Sequence, residues 1–371
     1  MARTLRSLAW LACGLLLFAV TAELVLRALP VSTATAAGYR IDPMILTYPP
    51  HVEVGAAQGW DLRNAQRLRT NNLGFVSDID FTPDPRAIAL IGDSYVEASM
   101  LRAGDRLGAQ LQARLGPARP VYAMGNPGTS LLDYAERVRF ASQRLAVQDF
   151  VILVVRGDVH HSLCGSGNIN GPCLNPRTLA PDIDLQPDPG ALKRLVRQSA
   201  LAQYLFTQLR VTPDGLLPAL RKLPGGLLPG RAAPASGGGA RAAAGSPIGP
   251  EVVDLIAKTF LDRVQPHVRG RLVLVINSPL PGAPTEPPDE HIRRFGALAA
   301  ARGATVVDIQ AAFAAHAARS PLSLAISPRD GHLNPLGLSL VADAAASALG
   351  AAAPWPIARA DAAPARLAAD R

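Results

Sequence analysis

The chain is short of the materials from which several kinds of protein are built. Three cysteines in 371 residues are too few for a disulfide-rich scaffold. Aromatic residues make up 5% of the sequence, which leaves no obvious stacking platform for nucleic acid. Charged residues reach only 18%, yet 49% of the chain is apolar, so wholesale disorder is excluded. There is one long apolar run, at the N-terminus, and a multi-span membrane protein is excluded with it. The formal charge of +8 comes almost entirely from Arg, spread through predicted helices and tails without a basic stripe. Nucleic acid is therefore not the expected partner. There is no dinucleotide fingerprint and no phosphate-binding loop with its Lys. No regular ligand spacing links the neighbours His160 and His161 to the cysteines, so neither a metal nor another cofactor is expected.

What is present begins with an export signature. Arg3 and Arg6 precede the apolar residues 8–20, and Glu23 and Arg27 follow them. Val20-Thr21-Ala22 and Ala34-Thr35-Ala36 offer small residues for processing, in which case the remainder is secreted. Against cleavage, Glu23-Leu24-Val25-Leu26-Arg27 extends one helix towards the length a bilayer requires, at the cost of carrying Glu23. We read residues 1–37 as a signal or membrane anchor and favour the uncleaved anchor, with the rest of the chain in the periplasmic part of the cell envelope. Cys13 is a small residue of the apolar helix. Cys164 and Cys173 bracket a turn-rich loop whose ends meet easily, and we expect a disulfide there rather than two free thiols.

Beyond the anchor, residues 38–80 show no long periodic pattern and read as an irregular lead-in. From Ala87 the character changes. Short continuous apolar runs at 88–91, 121–124, 150–155 and 272–276, with a further one at 305–307, read as buried parallel strands. Between them lie stretches of helical spacing: Leu107/Leu111/Leu115, Leu132/Ala135/Val138, Leu192/Leu195/Val196, Val253/Ile256/Phe260 and residues 289–301. Asn334 followed by Pro335 predicts the start of a last helix. This alternation predicts an α/β protein with an open parallel sheet covered on both faces. Residues 212–250, rich in Gly, Pro, Ala and Arg, read as a flexible insertion within one domain spanning 38–350; residues 351–371 read as a loose tail.

Ligands of open α/β sheets bind beyond the carboxyl ends of the strands. Three segments there carry chemistry. Gly92-Asp93-Ser94 places a hydroxyl and a backbone N–H at a strand-to-helix turn, suited to a nucleophile, though Asp93 or Ser94 in that place also serves as a helix cap. Gly125-Asn126-Pro127-Gly128-Thr129 is a second such turn, in which Gly128 lets a backbone N–H approach a reacting oxygen. Asp330-Gly331-His332 supplies an imidazole with a carboxylate two residues away across a tight loop, able to fix the tautomer and stabilise imidazolium; the bland alternative is a surface turn.

Together these segments resemble the SGNH, or GDSL-type, hydrolase family. The resemblance covers about residues 69–350: Ile88-Ala89-Leu90-Ile91-Gly92-Asp93-Ser94-Tyr95 is like its first block, Gly128 its second, and Asp330-Gly331-His332-Leu333-Asn334-Pro335-Leu336-Gly337 its last. Arg69-Thr70-Asn71-Asn72-Leu73-Gly74-Phe75 is similar to the lead-in of envelope-anchored members. The likeness implies a three-layer α/β/α sandwich with a flavodoxin-like sheet, Ser94 as nucleophile, His332 as base, Asp330 as its partner, and oxyanion donors from the Ser94 and Gly128 backbones. It further implies an esterase or O-acyltransferase acting on small acyl esters, above all O-acetyl groups of an envelope glycan or another surface molecule. One departure stands out. The family's third block carries an Asn oxyanion donor, and here Arg156-Gly157-Asp158 puts Gly157 in its place. Losing such a donor costs about 3–4 kcal/mol unless replaced, so Asp93, Asn126, Arg156 and Gly157 are the residues to inspect for support of substrate or oxyanion, and Asp158 reads as structural. The rival reading is a non-catalytic carbohydrate-binding or assembly protein that keeps the fold.

Overall fold

The computed structural model describes residues 2–32, 37–166, 171–209, 211, 248–277, 290–328 and 330–356. The chain opens with helix α1 (Ala2–Ala28), followed by two antiparallel hairpins, β1 (Gly38–Asp42) with β2 (Ile45–Thr47) and β3 (Glu53–Gln58) with β4 (Arg63–Arg69). Then come β5 (Ile88–Gly92), α2 (Ser94–Glu97), α3 (Leu107–Leu115), β6 (Val121–Gly125), α4 (Leu131–Leu145), β7 (Asp149–Val154) and α5 (Asp158–His161). A small hairpin, β8 (Pro172–Leu174) and β9 (Pro181–Ile183), leads to α6 (Ala191–Val196), α7 (Ala200–Gln203) and a π-helical turn, Tyr204–Gln208. The chain ends through α8 (Pro250–Val264), β10 (Leu272–Ile276), α9 (Glu290–Ala301), β11 (Thr305–Asp308), α10 (Gln310–Ala317), the pair β12 (Ala325–Ser327) and β13 (Asp330–Leu333), and α11 (Pro335–Ala351).

Five strands form one parallel sheet in the order β11-β10-β7-β5-β6. Counting only these five in chain order, the arrangement is 2-1-3-4-5, the flavodoxin-like order, whose topological switch point lies between β5 and β7. The continuous apolar runs follow from burial on both faces. Ala89, Ile91, Phe150, Ile152, Val154, Leu272 and Leu274 point into one core, which α4, α8 and α9 cover. Ile88, Leu90, Val151, Leu153, Val273 and Val275 point into the other, under α3, α10 and α11. The expected three-layer α/β sandwich is the fold observed.

Three expectations are corrected. Residues 38–80 are ordered hairpins with a small core of their own around Tyr48, Val54, Leu68 and Val76. Their periodicity is hidden because β4 buries only Leu68. The segment after residue 351 is not wholly loose. Ala352 and Trp355 are buried, the latter 2% exposed, and the Trp355 backbone N–H donates to the Gly270 carbonyl at 2.6 Å. The Asp330-Gly331-His332 segment is a short strand rather than a loop. The expected flexible insertion falls, over residues 212–247, outside the described residues. Cys164 and Cys173 are joined in a disulfide with their Cα atoms 5.1 Å apart, and Cys13 is an exposed thiol.

Candidate active site

The site is built at the sheet's carboxyl edge, beside the switch point. Gly92 closes β5, where a Cβ would meet Val96 Cγ2 at 2.6 Å and the Leu153 carbonyl oxygen at 3.2 Å. Asp93 then caps α2, its carboxylate accepting the Tyr95 N–H at 2.9 Å. The capping role thus belongs to Asp93, which leaves the Ser94 hydroxyl for something else. Ser94 Oγ lies 2.9 Å from His332 Nε2, and His332 Nδ1 lies 2.6 Å from Asp330 Oδ1. The His332 backbone N–H also donates to Asp330 Oδ1 at 3.1 Å, so the two-residue spacing locks carboxylate and ring together. The hydrogen bond from His332, with a second from Gln58, holds the Asp330 carboxyl well below the usual carboxylate range. It stays ionised at neutral pH. A hydroxyl bonded to an imidazole that a carboxylate backs is an arrangement able to make a serine nucleophilic.

Residues that the sequence reading passed over complete this chain. Gln58, at the end of β3, donates to Asp330 Oδ2 at 2.6 Å across 272 residues of sequence. The Tyr95 ring packs on His332 with centroids 4.7 Å apart, and its hydroxyl reaches the Gly331 carbonyl at 3.3 Å. Burial, then the nearby Asp93 and Asp330 charges, push the Tyr95 phenol up to about 12, so it remains a neutral donor. Arg137, fully buried on α4, donates to the carbonyls of Gly92 at 2.7 Å and Met124 at 2.9 Å, tying together the ends of β5 and β6. Its signal was visible: it falls three residues after Tyr134 and four before Ala141, on the stripe that α4 buries. Around it stand Asp93, Glu97 and Asp133. Burial pushes Glu97 up to about 7 and Asp133 to about 6. Tyr48, from the lead-in, donates to Glu97 at 2.9 Å.

The remaining candidates sort as follows. Gly128, at φ +76°, takes a left-handed conformation in the loop after β6, next to the Ser94 loop by strand pairing. Asn126 is 3% exposed and its amide donates to the Leu46 carbonyl at 3.0 Å, so it is a joint to the lead-in rather than a group facing substrate. Asp158 accepts the Val155 N–H at 2.9 Å and the Tyr134 hydroxyl at 3.2 Å. It braces the end of β7, and burial, with Asp93 nearby, pushes its carboxyl well up. Arg156 is exposed. Gly157 has φ +93°, and a Cβ there would meet His161 Cε1 at 2.8 Å. The space over Gly157 is thus taken by an imidazole one helical turn on.

No protein-family model and no curated protein matches the chain. Solved structures similar to it include an α/β-hydrolase enzyme from the metagenome of Lake Arreo, Spain, with 17% identity and a TM-score of 0.39 over 73% of this chain and 97% of that one. A member of the lipolytic protein G-D-S-L family from Veillonella parvula shares 12% identity, with a TM-score of 0.36 over 70% of this chain and 96% of its own. A carbohydrate acetylesterase family member from Sinorhizobium meliloti shares 13%, with a TM-score of 0.32 over 71% and 99% respectively.

Proposed function

We propose that this chain is a serine-dependent ester hydrolase of the SGNH type, anchored in the cell envelope by α1 and acting on small acyl esters, most of all O-acetyl groups of a glycan. The single observation that carries the reading is the continuous chain Ser94–His332–Asp330, at 2.9 and 2.6 Å. Ser94 Oγ attacks the ester carbonyl while its proton passes to His332 Nε2. Asp330 stabilises the imidazolium that forms, and the backbone N–H groups of Ser94 and Gly128 receive the oxyanion. Collapse of the tetrahedral intermediate expels the alcohol, which takes the proton from His332. Water then enters by the same steps in reverse and frees Ser94. A sugar hydroxyl in the place of that water makes the same site an O-acyltransferase.

A fluorophosphonate probe tests the reading without knowledge of the substrate. Wild type is expected to label, Ser94→Ala not at all, and His332→Ala far more slowly. Both variants should keep the wild-type thermal midpoint, which separates lost chemistry from lost folding. If folded wild type is inert towards the probe and towards activated acetyl esters, the hydrolase reading fails, and a carbohydrate-binding or assembly role takes its place.

A further inference from the structure

Within helix α1 the 26 residues Arg3–Ala28 have a mean hydropathy of 2.1 in their most apolar window, and none of that window is buried in the protein. Its exit end, by contrast, is fastened to the domain. Glu23 accepts the Ser199 hydroxyl at 2.7 Å and the backbone N–H groups of Ala200 at 3.0 Å and Leu201 at 2.9 Å, and it pairs with Arg27 at 2.7 Å. The carboxylate that interrupts the apolar run of α1 is therefore the group that holds the start of α7. Leu26, one turn on, is buried. Further along, the Ser32 hydroxyl exchanges hydrogen bonds with the Ala57 backbone at 2.9 and 3.0 Å, and its N–H donates to Gln208 at 3.3 Å. The β3–β4 turn joins the same assembly, because Tyr204 donates to the Trp60 carbonyl at 2.8 Å and Gln208 to that of Gly59 at 3.1 Å.

This fastened end is also where apolar side chains are left in the open. Eight large apolar residues beyond residue 30 are exposed among the described residues, and four of them belong to this one assembly: Trp60 at 70%, Leu195 at 65%, Phe206 at 50% and Leu209 at 39%. A soluble face of this composition is unusual, whereas Trp, Phe and Leu with Arg beside them suit the headgroup region of a bilayer. Arg194 and Arg197 lie on either side of Leu195 in sequence. The level matches too: Glu23 stands about 26 Å of helix rise beyond Arg6, close to the ~30 Å of a hydrocarbon core.

Resting on the reading of α1 as a retained anchor, we propose that the β3–β4 turn and the α6–α7 segment form a membrane-contact surface. It lies in the interface with Trp60, Leu195 and Phe206 towards the lipid, and Glu23 sets its height. The domain then rides on the bilayer in a fixed orientation rather than swinging on a tether. Gln58, on the strand that leads into this turn, ties the surface to Asp330 of the candidate triad.

The test uses full-length protein in vesicles of phosphatidylethanolamine and phosphatidylglycerol. In a Cys13→Ser background, a nitroxide is attached at Trp60→Cys, Leu195→Cys or Phe206→Cys, with Leu209→Cys in reserve should one of these fail to fold. Arg293→Cys, on the exposed side of α9, is the control. The ratio of collisions with oxygen to collisions with a water-soluble nickel chelate should be several-fold higher at the surface positions than at the control. Equal ratios in protein that resists alkaline carbonate extraction overturn the contact surface and leave the anchor standing. Protein that is extracted, or that lacks residues 1–22, overturns the anchor and the surface together.

Discussion

At the scale of single residues, Gly157 decides how far the family pattern can be transferred. The sequence shows a missing side chain, and the obvious repair is Gly157→Asn. The backbone says otherwise. With φ at +93° and a Cβ destined to sit 2.8 Å from His161 Cε1, Asn brings strain and a clash together. The clash is with a ring rather than with backbone, so it can be relieved. Burial, and His160 beside it, push the His161 imidazole down, so the ring stands neutral over the glycine at neutral pH. We expect Gly157→Asn alone to destabilise by about 1–3 kcal/mol. Adding His161→Ala should recover part of that loss and admit the amide. A double-mutant cycle by thermal or urea unfolding measures the coupling, and additive effects would show that the two positions do not compete for one space.

At the scale of elements, the lead-in hairpins are part of the candidate site rather than a spacer before it. Gln58 on β3 holds Asp330, and Tyr48 just after β2 holds Glu97 on α2, the helix that Ser94 opens. Gln58→Leu removes a donor to a charged group, an interaction of about 1.5–3 kcal/mol, and kcat towards an activated ester should fall roughly tenfold. Without that donor Asp330 becomes more basic and strengthens its hold on the imidazolium, so the acid limb of the kcat/KM profile should move to higher pH. A profile that only scales down, without moving, would reduce Gln58 to a packing residue. Glu97 gives a stability counterpart. Its carboxyl is raised by burial from the usual carboxylate range to about 7, so the folded state binds the proton more tightly than the unfolded state. The associated stability is fully present below about pH 4.5 and is lost as pH rises to about 7. Glu97→Gln keeps an acceptor for Tyr48 and has no proton to lose. Its stability relative to wild type should therefore improve over that window, by on the order of 2–3 kcal/mol, and stay level above it.

Those couplings also mark what the sequence could reveal. Strands 88–91, 121–124 and 272–276 are legible because burial on both faces makes every residue apolar. Ser94, Asp330 and His332 are legible because each belongs to a short local motif that carries its chemistry within two or three residues. Gln58 carries no local signal: it ends a strand whose residues are mostly half-buried, and its partner is 272 residues away. Glu97 is masked differently, since an acid in the first turn of a helix is ordinary, and the close approach of its backbone to Gly125 and the Tyr48 hydroxyl over its carboxylate are seen only in the fold.

At the scale of the whole molecule, one sheet serves two cores, and the last described residues help to finish the structure. Trp355 is 2% exposed and packs into the core that α4, α8 and α9 cover. Its backbone N–H donates to the Gly270 carbonyl just before β10, while the neighbouring Pro356 lies against Gly303, so the end of the chain clasps the loops that enter β10 and β11. The molecule supplies its own control, because Trp60 has the same side chain at 70% exposure. Truncating a buried Trp typically costs about 3–5 kcal/mol, through lost transfer energy and the cavity left behind. Trp355→Ala should accordingly lower the thermal midpoint by about 10 °C on the usual scaling for a domain of this size. Trp60→Ala in detergent should leave the midpoint nearly unchanged. Emission offers an independent reading: a buried indole emits at shorter wavelength, so losing Trp355 should shift the folded spectrum to the red, and losing Trp60 should shift it to the blue. Equal midpoints for the two variants would mean that the C-terminal segment does not close the core, and the sheet would then be complete at α11 without it.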